Sequence, residues 1–116
     1  MLNIDKVDTV YLACGVMDLR RSIDGLAVVV QTELKLDTFE KALFVFCNKK
    51  MNKLEILHFH NGFWLYYYRL EKKRFKWPMT KAEALKVNIK ELGWLLKGYE
   101  VRTTSKFKPI KEKNYY

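Results

Sequence analysis

Blocks of hydrophobic residues recur along the chain, and their spacing predicts the secondary structure. Val10 to Cys14 (VYLAC) has the β-branched and aromatic content of a short strand, which ends at Gly15. Asp18 is a predicted N-cap, and the spacing behind it predicts a helix to about Lys35. We expect Gly25, inside that helix, to permit close packing of the backbone against a sheet. The apolar stripe of the helix consists of Leu19, Ile23, Leu26, Ala27, Val30 and Leu34.

The middle of the chain predicts neighbouring strands. Ala42 to Cys47 (ALFVFC) is a continuous apolar run, which predicts a central strand covered on both faces. A polar turn at 48–52 leads to a second strand, Lys53 to His60, and Phe63 to Glu71 is predicted as a third. Asn61-Gly62 favours a two-residue hairpin turn, because both residues tolerate positive φ. On that register His60 faces Phe63, Phe59 faces Trp64, Leu57 faces Tyr66, Glu55 faces Tyr68, and His58 faces Leu65.

Two capping motifs follow the strands. The pairs Thr80/Glu83 and Asn88/Glu91 both have the spacing of a capping box, so we expect a short helix after each. The second of these helices is predicted to end at Gly98, because glycine readily adopts the left-handed conformation that closes a helix.

Together these elements predict a single α+β domain over residues 1–105. It contains an antiparallel meander of three to five strands, one longer N-terminal helix and one or two short C-terminal helices. The run Arg74 to Trp77 would add a strand before Pro78 stops it. Residues 106–116 follow as a basic tail, which we expect to be mobile because it is rich in lysine and contains a proline.

The composition indicates a folded domain with a polyanionic partner. The chain of 116 residues is 49% hydrophobic and 15% aromatic, which is enough for one hydrophobic core. Its net charge of +9 is uneven, since residues 1–40 carry −3 and residues 41–116 carry +12. Clustered cations gain affinity for phosphate backbones by releasing counterions. Acidic membranes, RNA and acidic protein faces would respond to the same field.

The cysteines and the absence of long apolar runs bear on the compartment. Cys14 and Cys47 lie far apart, with no CxxC pair and no secretory leader before them, so a disulfide is not expected. No apolar run approaches membrane-spanning length. We therefore expect a cytoplasmic protein without membrane association, in which both cysteines behave as small buried hydrophobes.

Catalytic motifs are not found in the sequence. There is no P-loop, HExxH, GxSxG or Cys/His array, so no catalytic residue, cofactor or metal ligand is predicted. Asp18, Asp24 and Glu91 are the carboxylates a metal-dependent nuclease would need, although capping and solvation explain the two aspartates better. His58 and His60 share one face of their strand and could bind a metal, but no third ligand is evident. The sequence favours binding over catalysis.

Basic and aromatic residues are interleaved after the hairpin, and a second basic turn precedes it. This pattern can place cations on phosphates while a ring stacks on a base. The alternative is that the rings belong to the core and the lysines to a solvated turn. If the strands run as predicted, both turns lie at the same end of the sheet. The residues concerned are Lys49, Lys50, Lys53, Arg69, Lys72, Lys73, Arg74, Phe75, Lys76 and Trp77.

Four segments resemble a known family in the same order. They are VYLACGVMDLRRSIDGLAVVVQ, ALFVFCNKK, NGFWLYYYRLEKKRFKWP and ELGWLLKGYEV. Over nearly its whole length the chain is similar to the small accessory protein called TnpB in insertion sequences of the sixty-six family. That family is distinct from the RNA-guided nucleases that share the name. The resemblance implies a protein encoded beside a transposase and needed for efficient transposition, without a catalytic site of its own.

The residues that match the family's motifs have no established role to carry over. The first motif matches at Asp18, Arg20, Arg21, Asp24 and Gly25. The second motif matches at Phe63, Trp64, Leu65, Tyr67, Arg69, Leu70, Glu71, Arg74, Phe75 and Trp77.

The leading hypothesis is a non-catalytic accessory factor for DNA transposition, which binds DNA largely without reading sequence and works with the element-encoded transposase. The alternative is a protein–protein adaptor that docks on the transposase through exposed hairpin aromatics, Trp64 or Trp77 among them. A third hypothesis, a metal-dependent nuclease, requires clustered carboxylates. The residues predicted to contact nucleic acid are Arg20, Arg21, Lys49, Lys50, Lys53, Arg69, Lys72, Lys73, Arg74, Lys76 and Trp77.

Overall fold

The computed structural model describes residues 7–80 and 83–100. The predicted tail, 106–116, and the predicted domain end at 105 lie outside these residues. No helix in the two described ranges has the length and hydrophobicity needed to cross a membrane. In chain order the described elements are β1 (Thr9–Ala13), α1 (Ile23–Thr32), β2 (Leu43–Cys47), β3 (Lys53–Phe59), β4 (Phe63–Arg69), β5 (Ala84–Asn88) and α2 (Ile89–Leu96).

In the described part of the chain the strands form a mixed sheet in the order β4-β3-β2-β1-β5. β1 and β2 pair in parallel, with Val10 opposite Leu43 and Leu12 opposite Val45. A parallel pair needs a connection that returns the chain to the same end of the sheet, and α1 provides it. The predicted antiparallel meander is therefore wrong, because it missed this crossover. The broader α+β class still describes the molecule.

The segment after Thr80 contains a strand where a helix was predicted. β5 pairs antiparallel with β1, so that Thr9 lies opposite Asn88 and Ala13 opposite Ala84. The Thr80/Glu83 spacing is only a local signal, whereas pairing with β1 satisfies a row of backbone groups. The strand predicted at Arg74 to Trp77 does not form either, and this segment runs irregularly between β4 and β5.

Helix α1 begins one turn later than predicted. Asp18 does not cap it, because its carboxylate accepts the backbone N–H of Arg20 at 2.9 Å and pairs with the Arg20 guanidinium. The N-cap is Ser22, whose hydroxyl accepts the N–H of Gly25 at 3.1 Å. The role predicted for Gly25 is also wrong. A Cβ at this position would contact Arg21 and Ser22 at 3.5 Å, an ordinary distance, and would not touch the sheet.

β2 is the central strand that its apolar run predicts, and all of its residues are buried. One face of the sheet lies under α1, where Phe44 and Phe46 belong to the same buried cluster as Leu26. The other face carries a second cluster, in which Val45 joins Leu95 of α2. The sheet is therefore covered by one helix on each face.

The β3–β4 hairpin has a three-residue loop, His60–Gly62, and the predicted two-residue turn is wrong. The His60 N–H donates to the Gly62 carbonyl at 2.7 Å, and Phe59 pairs with Phe63. Every cross-strand pair shifts accordingly, so that Leu57 faces Leu65. This register places two apolar residues together on the α1 side, and burial of matching apolar residues is what selects the register of a hairpin.

The capping box predicted for α2 is confirmed. The Asn88 side chain accepts the Glu91 N–H at 2.8 Å, and the Glu91 carboxylate accepts the Asn88 N–H at 2.9 Å. Gly98, with φ of +97°, follows the helix and ends it as predicted. Leu92 and Leu95 are the buried residues of the helix.

Candidate nucleic-acid interface

The β2–β3 turn and the segment after β4, residues 70–80, lie side by side at one end of the sheet. We name this segment the strap. The Leu70 N–H donates to the Asn52 carbonyl and the Phe75 N–H donates to the Met51 carbonyl, both at 2.7 Å. The prediction that the two basic turns share one end of the sheet is therefore confirmed.

The β2–β3 turn is held in shape by the side chain of Asn48. Its Oδ1 accepts the N–H groups of Asn52 and Lys53, each at 3.0 Å, and its Nδ2 donates to Asn52 Oδ1 at 2.7 Å. Lys49 and Lys50 lie between these anchor points and are exposed. The turn thus presents two lysines on a fixed backbone.

The strap is fastened to the sheet by alternate residues. Phe75 and Trp77 are 2% and 5% exposed, and both belong to the cluster on the α2 side. The Trp77 Nε1 donates to the Ala13 carbonyl at 2.9 Å, and the Gly15 N–H donates to the Pro78 carbonyl at 3.0 Å. The ring of Trp77 is therefore used inside the fold and is not exposed for stacking on a base, although the sequence suggested that role.

The cations of the strap point the other way. Lys72, Lys73, Arg74 and Lys76 are all exposed. With Lys49 and Lys50 they form two adjacent sets, and we name these six residues the basic end. Within residues 7–80 and 83–100, no carboxylate lies within ion-pair distance of any of them. Their charges are therefore available to a partner.

Arg20 and Arg21 lie near the basic end but differ from it. The Met17 N–H donates to the Cys47 carbonyl at 3.0 Å, which brings the segment before α1 to the β2–β3 turn. The Arg20 guanidinium, 2.7 Å from Asp18, holds the pKa of that carboxyl well below its usual range, and Lys49 lowers it further. Both arginines are exposed, but Arg20 is partly neutralised by Asp18, whereas Arg21 has no ion pair within the described residues.

Lys53 and Arg69 face each other across β3 and β4, and each has an acidic neighbour. Lys53 Nζ lies 3.5 Å from Glu55 and 4.9 Å from the centre of the Tyr67 ring. Arg69 Nε lies 3.2 Å from Glu71. The two cations flank the basic end, but part of their charge is compensated.

Glu55 is a buried acid that the sequence did not single out. Its side chain is 1% exposed, and its Oε1 has no hydrogen-bond partner among the described residues. Burial raises its pKa above the usual carboxyl value, and Lys53 opposes that shift only in part. The native state therefore holds this proton more tightly than the unfolded chain does. Stability from this group is present at acidic pH and falls as pH rises above about 4.5.

Replacing Glu55 with glutamine is expected to raise the free energy of unfolding at pH 7 by about 1 kcal/mol, because a neutral amide replaces the buried carboxylate while Lys53, 35% exposed, stays in contact with solvent. The variant should also lose part of the decline in stability between pH 4.5 and pH 7. Thermal melts across this pH range measure both effects. Glu71→Gln is the control, since Glu71 is 73% exposed and should change stability little. A Glu55→Gln protein that is less stable at pH 7 would show that the pair with Lys53 dominates.

The candidate metal ligands do not assemble into a site. His58 is buried with Nδ1 3.2 Å from the Ala42 carbonyl oxygen, and its ring is parallel to that of His60 at 6.3 Å. Asp24 and Glu91 belong to helices on opposite faces of the sheet. Within the described residues no three His, Cys, Asp or Glu side chains are placed to hold a metal ion.

The two cysteines are both free thiols. Cys47 is buried as expected, and burial raises the pKa of its thiol to about 12. Cys14 is only partly buried, with its Sγ 3.8 Å from the Leu12 carbonyl oxygen. The expectation that the cysteines behave as small buried hydrophobes therefore holds for Cys47, whereas Cys14 is only partly buried.

Several aromatic residues are exposed, among them Trp64, as the adaptor hypothesis requires. Trp64, Tyr67 and Tyr68 of β4 are 45%, 61% and 41% exposed, and Trp94 of α2 is 46% exposed. The helical spacing of Trp94 relative to Leu92 and Leu95 already places it off the buried stripe. Periodicity does not predict the exposure of the β4 side chains, because that exposure results from the position of β4 at the edge of the described sheet.

The fold and this surface define a small mixed-sheet domain with a concentrated positive charge at one end. Comparison with known proteins gives its family. The model of the IS66 Orf2 like protein family matches residues 8–106. The chain therefore belongs to this family, the accessory proteins of IS66 insertion sequences, and is associated with transposition.

Two similar proteins come from Sinorhizobium fredii. "Uncharacterized protein y4hO" is 33% identical over 94 residues, which cover 80% of this chain and 82% of the relative. "Uncharacterized protein y4jC" is 30% identical over 103 residues, which cover 88% of this chain and 87% of the relative. No solved structure matches the chain significantly.

Proposed function

We propose that this accessory protein acts without catalysis, by binding DNA through the basic end. The observation that carries the proposal is the set of exposed cations on two adjacent loops, without acidic partners among the described residues. Because the family is associated with transposition, DNA is favoured over other polyanions as the ligand of this surface.

The geometry favours contacts to phosphates over reading of bases. Lysine, which supplies most of the basic end, is a flexible point charge and does not make the planar paired contacts by which arginine reads guanine. Both loops are fixed by hydrogen bonds. Asn48 Oδ1 accepts from the backbone in the β2–β3 turn, and the Leu70 and Phe75 N–H groups donate from the strap to that turn. Contacts of this kind position a protein on DNA without specifying sequence. The proposed partner complex is DNA together with the element-encoded transposase.

The experiment is a fluorescence-anisotropy titration of the wild-type chain with two labelled duplexes of equal length. One duplex carries the end of an insertion sequence, and the other has an unrelated sequence. At about 50 mM salt both should bind, with affinities within about fivefold of each other. If neither duplex binds at low salt, the proposal is wrong. A preference of a hundredfold or more for the element end would instead indicate base reading, which the proposed mechanism lacks.

A second candidate function is adaptor binding to the transposase. The observation in its favour is an exposed aromatic pair on one face of β4, where Trp64 and Tyr68 are 45% and 41% exposed. Exposed aromatic residues in a patch are typical of protein–protein contacts. Trp77, which was the other candidate, is buried and cannot serve.

Copurification with the transposase in high salt separates the two functions, because high salt weakens phosphate contacts but not apolar ones. Adaptor binding should persist at high salt and be lost in Trp64→Ala or Tyr68→Ala. Complexes that dissociate in high salt, or that tolerate both substitutions, would exclude this function.

A further inference from the structure

Helix α2 carries an exposed stripe that the basic end does not include. Lys90, Gly93, Trp94 and Lys97 occur at the spacing that places residues on one side of a helix. Leu92 and Leu95 are the buried residues of the same helix, so the stripe faces away from the core. Lys90 and Lys97 are exposed, and Trp94 is 46% exposed.

No contact or backbone angle in the described fold requires a glycine at position 93. Glycine in a helix interior is destabilising relative to alanine, and it is usually retained for a close contact or an unusual backbone angle. A Cβ at Gly93 would meet no atom within 4 Å, and its φ is not positive. The missing side chain leaves the helix surface beside Trp94 open to close approach from outside.

A groove lies between the residues that follow α2 and the strap. β5 leads away from the strap, and α2 returns toward it, since Glu100 lines a groove of about 380 Å³ together with Lys76 and Met79. Lys76 belongs to the basic end. The Lys97 end of α2 is therefore the end nearer the basic end, and the acidic Glu100 lies between the two.

The chemistry of the stripe favours an unpaired nucleic-acid strand. Lys90 Nζ lies over one face of the partly exposed Trp94 ring, 5.8 Å from its centre. Lys97 follows three residues later, at the spacing that places it on the same side of the helix. Bases of a single strand stack on such rings while lysines meet the flanking phosphates. In a duplex the bases are stacked on each other and cannot do so. A four-residue stripe is also far smaller than the roughly 800 Å² per partner of a stable protein interface.

We propose that the α2 stripe is a binding site for single-stranded DNA, with one base stacked on Trp94 and phosphates at Lys90 and Lys97. This proposal extends the DNA-binding function proposed above and rests on it for the identity of the polyanion. It adds a preference for unpaired strands that the basic end does not supply.

The test measures binding of labelled oligothymidylate and of a random duplex at one salt concentration. Trp94→Ala should weaken binding of the single strand by about 5- to 100-fold and leave duplex binding within about twofold, whereas Trp94→Phe should keep most of the affinity. Gly93→Leu should weaken single-strand binding while the melting temperature stays equal or rises, because leucine favours the helix but fills the approach. Gly93→Ala is its matched control.

The outcomes separate this proposal from the one before it. If Trp94→Ala and Gly93→Leu both bind the single strand as the wild type does, the α2 site is wrong, while duplex binding by the basic end stands. Equal losses for single strand and duplex would also overturn it. If oligothymidylate binding depends on Trp94 but the wild type does not bind duplex, the α2 site stands and the basic-end proposal fails.

Discussion

Replacing Trp77 with alanine is expected to lower the free energy of unfolding by about 3–5 kcal/mol. The indole is 5% exposed, and its Nε1 donates to the Ala13 carbonyl at 2.9 Å. Truncation removes this ring from the core and leaves a buried acceptor on β1 unsatisfied, and each loss is destabilising. For a small domain, whose total stability is commonly about 5–15 kcal/mol, this is a large share. Denaturant unfolding followed by circular dichroism measures the change.

Two other substitutions calibrate the result. Trp94→Ala removes a tryptophan that is 46% exposed, so it should cost about 1 kcal/mol or less. Trp77→Phe keeps an aromatic ring but loses the hydrogen bond, and it should fall between the two alanine variants. A Trp77→Ala protein as stable as Trp94→Ala would show that the strap is not fastened as described.

Reversing three charges of the strap, Lys72, Lys73 and Arg74 to glutamate, is expected to weaken duplex binding by about 10²- to 10³-fold at 50 mM salt. Each lost phosphate contact also removes about one from the slope of log K against log salt, so the slope should become shallower by about 3. All three side chains are exposed, and none is ion-paired within the described residues. The substitutions should therefore leave the fold intact, which thermal melting can verify.

The matched control reverses three exposed lysines elsewhere. Lys35 follows α1, Lys41 precedes β2 at the opposite end of the sheet, and Lys86 lies on β5. Glutamate at these positions makes the same change in net charge as the strap variant. Duplex affinity should fall far less than in the strap variant. An equal loss in both variants would mean that binding depends on net charge alone and not on the basic end.

The parts of the fold that were predicted correctly depend on short-range signals. The LFVFC run of β2 is buried on both faces because its residues are apolar throughout. The Asn88/Glu91 pair forms its reciprocal hydrogen bonds within one helical turn. In both cases the neighbouring residues alone determine the structure, so the sequence is sufficient.

The errors in the sheet concern contacts between distant segments, whereas the start of α1 was a local error, because Asp18 bonds Arg20 and Ser22 caps the helix. β5 is stabilised by pairing with β1, which lies at the other end of the described chain, and a local capping signal cannot reveal that partner. The parallel pairing of β1 with β2 depends on the crossover through α1. The hairpin register depended on which apolar residues of β3 and β4 meet under α1, and the turn residues alone gave the wrong answer.

The sequence also predicted some features of the candidate site and not others. The two basic turns could be brought together from the sequence, because the strands β2, β3 and β4 follow one another along the chain. The burial of Phe75 and Trp77 agrees with the alternative that the rings belong to the core, which the sequence offered beside stacking on bases. The acidic neighbours of Arg20, Lys53 and Arg69 are each two residues away in the chain, so the spacing could have indicated this partial neutralisation.

The central claim is that exposed cations at one end of the sheet bind DNA phosphates. The salt dependence of duplex binding by the wild-type chain tests it most directly, because each phosphate contact contributes about −0.9 to the slope of log K against log salt. With the basic end engaged, we predict a slope of about −4 or steeper. A slope close to zero, or no duplex binding at low salt, would contradict the claim.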